Sequence, residues 1–188
     1  MEAYGYKQQI INDLNNIDKD SNNFYNYKEL NFLSKLSPNN KNIVIIFHGA
    51  INFDTQVVFR GYDYNIDNTD IVCISDFLLD KYNEYIINWT LETKKYKTDT
   101  IYKELFTHFI NKKNYSNIIF TGTSAGGFPS IKFACMFNAI ALISNSQIYI
   151  ENYPFPHQIK KGVRGFQYLK DMVKEKNDEI IYEPNQIC

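Results

Sequence analysis

The chain of 188 residues has the length of a single domain, and its 44% hydrophobic and 16% aromatic content is typical of a globular protein. A formal net charge of −1 gives no electrostatic reason to expect binding to nucleic acid or to an anionic membrane. The sequence opens without a basic segment followed by an apolar block, and no apolar run reaches the length of a membrane span, so a cytoplasmic protein is predicted. The three cysteines lack metal-type spacing, and we expect neither a metal nor a cofactor.

The first half of the chain contains two runs that are typical of buried strands. The first forty residues are polar and aromatic, and 22–33 could hold an edge strand. Residues 42–47 (NIVIIF) and 70–76 (DIVCISD) are rich in β-branched side chains, as expected for parallel strands covered on both faces. Between them, 55–64 could be a short strand or an ordered loop.

The second half alternates helical and strand patterns. An amphipathic helix is predicted over 98–114, with Thr98 or Asp99 as its cap. The predicted elements that follow are strand, helix, strand, helix and a short strand, in the order 116–122, 124–137, 139–144, 163–177 and 179–184. This alternation predicts an α/β domain with a mostly parallel sheet.

A Gly-Thr-Ser-Ala-Gly sequence at 122–126 lies between a predicted strand and a predicted helix. That context is the one a nucleophile elbow requires, because strand and helix approach closely there and the neighbours of the serine must be small. An ordinary glycine-rich turn with a helix-capping serine is the alternative. A phosphate-binding loop is less favoured, because the sequence has neither G-x-G-x-x-G nor G-K-[ST] at this place.

The His-Gly pair after the first buried strand is the second motif. Together, FHGA and TGTSAGG resemble the α/β-hydrolase superfamily. The resemblance implies that Ser124 is the nucleophile and that the backbone N–H of Ala125 is one oxyanion donor. Ala50, or Gly49, would give the second donor, and His48 would shape the loop rather than act as a base.

The resemblance covers roughly 42–150 and implies a three-layer αβα sandwich with a mostly parallel central sheet. We therefore expect one α/β-hydrolase-like domain over 1–188. It would have a peripheral N-terminal segment (1–41), a core with the serine turn (42–150) and a shortened C-terminal part (151–188).

Two further stretches, CISDFLL and ALISNSQIYIENY, resemble proteins encoded with bacterial capsule and surface-polysaccharide genes. We expect proteins of this kind to be esterases or O-acetyltransferases. The favoured function is therefore hydrolysis of an ester through a Ser124 acyl-enzyme, with a small-molecule or glycan ester as substrate. One alternative is an O-acetyltransferase for a surface or capsular polysaccharide, supplied by acetyl-CoA. Another is a pseudo-hydrolase that keeps the fold as a binding module; no pattern in the sequence predicts an oligomeric state.

The catalytic base is the difficult part of this prediction. In the α/β hydrolases the chain order is serine, acid, histidine, and His157 is the single histidine after Ser124, with Glu151 the one acid between them. The superfamily would also predict two more strands beyond residue 150, of which 179–184 looks like the first. Three explanations stay open: a shortened and impaired chain, recruitment of His157 with Glu151, or an oxyanion hole working with an unusual base.

Three other residues have two interpretations each. Asp76 follows a predicted strand and could belong to a site or cap the next helix. Arg60 could hold an anionic group of a substrate or lie on the surface. His108 lies beside apolar residues of the predicted helix and is expected to pack there.

Overall fold

A computed structural model describes residues 1–20, 22–51, 57–82, 87–153 and 165–182. In chain order the strands are β1 (Glu2–Ala3), β2 (Tyr6–Ile11), β3 (Asn22–Tyr27), β4 (Leu30–Lys35), β5 (Asn42–Phe47), β6 (Thr69–Ile74), β7 (Glu92–Thr93), β8 (Asn117–Thr123), β9 (Ile140–Ser144) and β10 (Ile180–Ile181). The α-helices are α1 (Phe77–Lys81), α2 (Thr98–Lys112), α3 (Gly127–Met136) and α4 (Gly165–Glu175). Short 3-10 turns occupy Leu14–Asn16, Ser124–Gly126 and Ile150–Asn152.

The protein is an α/β structure built on a mixed eight-stranded sheet with the order β1-β2-β3-β4-β6-β5-β8-β9. The strands β6, β5, β8 and β9 run parallel to one another, and β4 joins them antiparallel to β6. From β5 the chain passes first to β6 on one side and later to β8 on the other. The carboxyl ends of β5 and β8 therefore flank the point where the winding direction reverses, which is where α/β sheets form ligand sites.

The register of β5 and β8 brings the two sequence motifs together. Phe47, the last residue of β5, is paired with Gly122 of β8. The residues that follow each strand, His48-Gly49 and Thr123-Ser124, consequently emerge side by side at the same edge of the sheet.

The helical side of the sheet is held by a cluster of aromatic rings. Phe106 of α2 contacts Phe47, Phe120 and Phe133 with ring centroids 4.9–5.9 Å apart, in edge-to-face geometry. All four rings are almost fully buried. Burial of each such side chain contributes about 1.5–3 kcal/mol, so this cluster fixes α2 and α3 beneath the strand ends that carry the site.

The opposite face of the sheet has a smaller core. Val44 and Ile46 of β5 point to this side, as the alternation of strand side chains requires, and pack near Val57 and Phe59 of the loop between β5 and β6. A short strand and an ordered loop are the two predicted alternatives for 55–64. Its described part, 57–64, forms a loop with turns rather than a strand.

The N-terminal segment contributes more to the sheet than the sequence pattern predicts. One edge strand is expected over 22–33, whereas the chain up to residue 35 forms the four strands β1–β4. β4 lies inside the sheet between β3 and β6, and its Phe32 and Leu33 are fully buried. The sequence pattern does not predict all of these strands, because asparagine-rich segments flank them. Their stability comes from long-range pairing with other strands.

Two local expectations are corrected. The short strand expected at 179–184 is present as β10, but it pairs antiparallel with β7 in a separate two-stranded sheet and does not extend the main sheet in the way that the superfamily resemblance implies. The helix α2 begins after Lys97, and neither Thr98 nor Asp99 caps it: the carboxylate of Glu92 accepts from the backbone N–H of Asp99, and the Asp99 carboxylate pairs with Lys132 of α3. Of the helices in the described ranges, none has the length and apolar character that a bilayer crossing would require.

Candidate functional site

Ser124 occupies a strained turn between β8 and α3. Its φ is +53°, in the left-handed region that a non-glycine residue adopts at a cost of about 1–3 kcal/mol. The residue before it ends the strand, and the residues after it form a 3-10 turn that leads directly into α3. This backbone presents the partly exposed serine at the carboxyl edge of the sheet, as the strand-serine-helix motif predicts.

The two glycines that flank the serine are required by close backbone contacts. A Cβ atom placed on Gly122 would lie 2.3 Å from the carbonyl oxygen of Gly126. A Cβ atom on Gly126 would lie 2.6 Å from the carbonyl oxygen of Phe47 and 2.7 Å from that of His48. No side chain fits at either position, so the Gly-x-Ser-x-Gly spacing is a steric condition for seating the turn against the end of β5.

The predicted oxyanion donors lie around the serine. A Cβ atom on Gly49 would be 3.4 Å from Cβ of Ser124 and 4.0 Å from its Oγ, so the Gly49 backbone borders the hydroxyl directly. Ala50 lines the same open cleft as Ser124. Ala125 is buried in the first turn after the serine, where backbone N–H groups lack partners within the helix.

The hydroxyl of Ser124 has a partner that sequence analysis missed. Gln147, which follows β9, donates a 2.9 Å hydrogen bond from Nε2 to Oγ of Ser124. Its backbone N–H also donates to the Ser124 carbonyl oxygen at 3.1 Å. The position of Gln147 in the sequence is the signal that indicates this role. It lies just beyond the carboxyl end of β9, the strand next to β8, where α/β sheets form ligand sites.

Trp89 fixes the orientation of that amide. The indole Nε1–H donates to Oε1 of Gln147 at 2.8 Å, and indole nitrogen can only donate. The Gln147 oxygen must therefore face Trp89, which leaves the NH₂ group facing Ser124. An amide NH₂ cannot remove a proton, so Gln147 holds the Ser124 oxygen as an acceptor and leaves the serine O–H free to donate elsewhere.

His48 is a structural residue, as the resemblance implies. Its Nε2 accepts from the backbone N–H of Asp76 at 3.1 Å, so the proton lies on Nδ1, which donates to the Gly49 carbonyl oxygen at 2.6 Å. Burial lowers the pKa of His48 despite the opposing charge of Asp76. A neutral imidazole with both nitrogens occupied shapes the loop and is not available as a base for Ser124.

Asp76 is a helix cap and loop anchor rather than a site residue. Oδ1 of its carboxylate accepts from the backbone N–H of Leu78 in the first turn of α1 and from the side-chain amide of Asn88. Oδ2 accepts from the backbone N–H of Thr90, which is next to Trp89. The carboxylate thus positions the segment that carries the indole.

The predicted base is not tested by this geometry. His157 lies outside the described residues, and Glu151 lies in the short turn after β9, hydrogen-bonded to the hydroxyl of Tyr182. His108 is on α2, where its ring packs against Phe109 at 5.8 Å. Within the described ranges no histidine is hydrogen-bonded to Ser124, and no group of three potential metal ligands comes together.

The comparisons with known proteins identify a structural likeness only. No protein-family model and no curated protein sequence matches the chain. Two solved structures share its fold: the capsule O-acetyltransferase of Neisseria meningitidis serogroup A, alone and in complex with caged gadolinium. Their TM-score is 0.51, with 14% and 15% sequence identity over 69% of this chain. This chain spans about half of their length, 52% and 53%, so the likeness establishes a common fold for the matched part.

Proposed function

We propose that this protein catalyses acyl transfer through Ser124, as an O-acetyltransferase that modifies a surface or capsular polysaccharide. The observation that carries the proposal is the geometry of Ser124. Its backbone has a left-handed conformation, and it lies where the winding direction of the sheet reverses. The Gly49 backbone borders its hydroxyl, and Gln147 donates a hydrogen bond to it. The fold shared with a capsule O-acetyltransferase, in two solved structures of that enzyme, supports transfer to a glycan over simple ester hydrolysis. The α/β-hydrolase relationship and its three-layer architecture are part of the same proposal.

The proposed reaction has two steps. In the first, Oγ of Ser124 attacks the carbonyl carbon of an acetyl thioester of coenzyme A. The serine proton passes to a base, which returns it to the sulfur as the C–S bond breaks and the thiol leaves. In the second, a sugar hydroxyl attacks the acetyl-serine; its proton passes to the same base and from there to Oγ of Ser124, as the bond between the acetyl group and the serine breaks. Backbone N–H groups of Ala125 and of Ala50 or Gly49 stabilise the oxyanion in both steps.

A fluorophosphonate probe tests the nucleophile. We expect labelling of the wild-type protein and of Ser144→Ala, an exposed serine at the end of the neighbouring strand β9, but not of Ser124→Ala. Equal labelling of Ser124→Ala and the wild type would disprove the role of Ser124. Absence of labelling in all three proteins would favour the binding-module alternative.

The choice between transfer and hydrolysis needs an acceptor. With p-nitrophenyl acetate as donor, a transferase releases p-nitrophenol faster when an oligosaccharide is added, and acetylated oligosaccharide accumulates. An esterase releases acetate at a rate that the oligosaccharide does not change. Product analysis by mass spectrometry separates the two outcomes.

His157 remains the proposed base on sequence grounds. If it removes the proton of Ser124, the rate of labelling should rise with pH through the titration of an imidazole, and His157→Gln should flatten this profile. An unchanged profile in His157→Gln would assign the base to another group.

A further inference from the structure

The open cleft that begins at Ser124 continues to a polar and aromatic wall. Its volume is about 750 Å³, large enough for several sugar units. Gly49, Ala50 and Ser124 line it, and so do Tyr4 and residues 58–64 of the loop between β5 and β6, which together form the wall. The proposed function uses only the residues around the serine.

The start of this loop is anchored to the body of the protein by two hydrogen bonds. The backbone N–H of Val58 donates to the hydroxyl of Ser75 at 3.1 Å. The backbone N–H of Phe59 donates to the hydroxyl of Tyr4 at 3.2 Å, and the side chain of Phe59 is buried. Arg60 therefore extends from a fixed backbone position.

The rest of the loop is held by a tight turn. Gly61 has φ +76°, and a Cβ atom there would lie 2.6 Å from Cδ1 of Ile46 and 3.1 Å from the ring of Tyr64. Nζ of Lys35 donates to the carbonyl oxygen of Tyr64 at 3.1 Å. The wall of the cleft is thus a preformed surface.

Three tyrosine rings are exposed on this wall. The rings of Tyr4 and Tyr62 have centroids 4.3 Å apart, and 37%, 36% and 53% of Tyr4, Tyr62 and Tyr64 is exposed. An aromatic face carries negative partial charge and attracts the positively polarised C–H groups on the flat side of a sugar ring. Exposed tyrosines that line the same cleft as Ser124 suit a carbohydrate better than a compact apolar ligand.

Arg60 supplies a positive charge at the same wall. Its side chain is exposed, and within the described part of the chain it forms no ion pair, although the carboxylate of Asp63 lines the cleft as well. A guanidinium donates two parallel hydrogen bonds to a carboxylate or phosphate group. Asp63 can accept from sugar hydroxyls, which complements the donors of Arg60.

We propose that this cleft binds the acceptor as an anionic glycan, with Arg60 holding a carboxylate or phosphate group and the Tyr4–Tyr62 pair and Tyr64 stacking on sugar rings. The identification of this glycan as an acceptor depends on the proposed acyl transfer. The binding itself does not, because it requires no reaction at Ser124.

The test measures binding to the full-length Ser124→Ala protein by isothermal titration calorimetry. The first pair of probes is tri-galacturonic acid and its trimethyl ester, which tests a carboxylate. The second pair is glucose 6-phosphate and glucose, which tests a phosphate. The two members of each pair differ mainly in charge. We expect at least one anionic probe to bind about tenfold or more tightly than its neutral counterpart, which corresponds to about 1.4 kcal/mol. Arg60→Gln should abolish the difference, whereas Lys103→Gln, an exposed lysine on α2, should leave it unchanged.

A second pair of variants tests the stacking. Tyr62→Ala should weaken binding of charged and neutral sugars alike, and Tyr149→Ala, an exposed tyrosine outside the cleft, should weaken neither. Equal affinity for charged and neutral probes, or a charge preference that persists in Arg60→Gln, would overturn the proposal. Competition by coenzyme A that is lost in Arg60→Gln would also overturn it, because the guanidinium would then serve the donor. Labelling of Ser124 is unaffected by these outcomes, so the two proposals can fail separately.

Discussion

The side-chain amide of Gln147 donates a 2.9 Å hydrogen bond to the hydroxyl of Ser124, and the indole of Trp89 prevents that amide from turning over. The serine oxygen is therefore an acceptor with one lone pair occupied, while its proton points away from Gln147. This arrangement selects one orientation of the hydroxyl before any substrate arrives. Gln147 and Trp89, which come from separate loops, therefore both belong to the candidate site.

The first prediction concerns Gln147. Gln147→Ala should slow fluorophosphonate labelling of Ser124 by roughly fivefold, since one positioning hydrogen bond contributes about 1 kcal/mol and each 1.4 kcal/mol is a factor of ten. Gln167→Ala, on the exposed face of α4, provides the control with an unchanged rate. A Gln147→Ala protein that is labelled at the wild-type rate would show that the hydrogen bond has no part in positioning the nucleophile.

Gly126 and Gly49 should respond differently to the same substitution. Gly126→Ala forces a methyl group against two backbone carbonyls that cannot move, so we expect a loss of about 3 kcal/mol or more in the free energy of unfolding. Gly49→Ala meets the Thr123 carbonyl oxygen at 3.2 Å and should cost about 1 kcal/mol, yet its methyl group would crowd the serine and reduce labelling. Urea unfolding and labelling rates measure both effects. Equal stability of the two variants would contradict the steric argument.

The pH dependence of stability should reveal Asp80. Burial raises the pKa of this carboxyl from 3.8 to about 7, although Ser75 and Asn31 donate hydrogen bonds to it. The folded state then holds its proton more tightly than the unfolded state, so the stabilisation is complete below pH 3.8 and is lost as the pH rises to about 7.

Asp80→Asn removes this titration. Relative to the wild type, its free energy of unfolding should therefore increase between pH 4 and pH 7 by up to about 1.4 kcal/mol per pH unit, and stay constant above that range. Thermal melts of both proteins across this range provide the measurement. A difference between the two proteins that does not vary with pH would mean that Asp80 ionises normally in the folded state.

The buried ion pair between Lys113 and Asp70 lies at the amino ends of the parallel strands, opposite Ser124. It should affect stability but not the candidate site. Asp70, at the start of β6, is fully buried and accepts hydrogen bonds from Lys113, Tyr115 and the backbone N–H of Ser37. Lys113→Ala leaves that carboxylate without its cation, and we expect a cost of about 3–5 kcal/mol in urea unfolding.

The surface variant Lys28→Ala is the control for that measurement. Its partner Glu104 is well exposed, so the loss should be much smaller. Similar losses in the two variants would contradict the distinction between buried and exposed pairs. Because Asp70 lies at the amino end of its strand, folded Lys113→Ala protein should retain fluorophosphonate labelling.

Elements with local signals can be predicted from the amino-acid sequence. The run 42–47 predicts β5 to the residue, since β-branched side chains covered on both faces leave an uninterrupted apolar pattern. Gly122, Ser124 and Gly126 likewise identify the turn, because only glycine permits such close approach and the spacing is short. Of the four N-terminal strands, the pattern predicts a single edge strand, since their stability comes from pairing with distant neighbours.

The surroundings of the serine depend on contacts between distant segments. Gln147 is 23 residues from Ser124, and Trp89 is 58 residues from Gln147, so no local pattern links them. Their contact depends on the register of β8 with β9 and on the hydrogen bond from the backbone N–H of Thr90 to Asp76, which holds the neighbouring Trp89 in place. The cleft wall is equally non-local, because Arg60 and Tyr62 reach the site through a loop that is fixed by Ser75 and Tyr4. Strand periodicity specifies which face is buried, whereas packing between distant segments specifies which side chains meet.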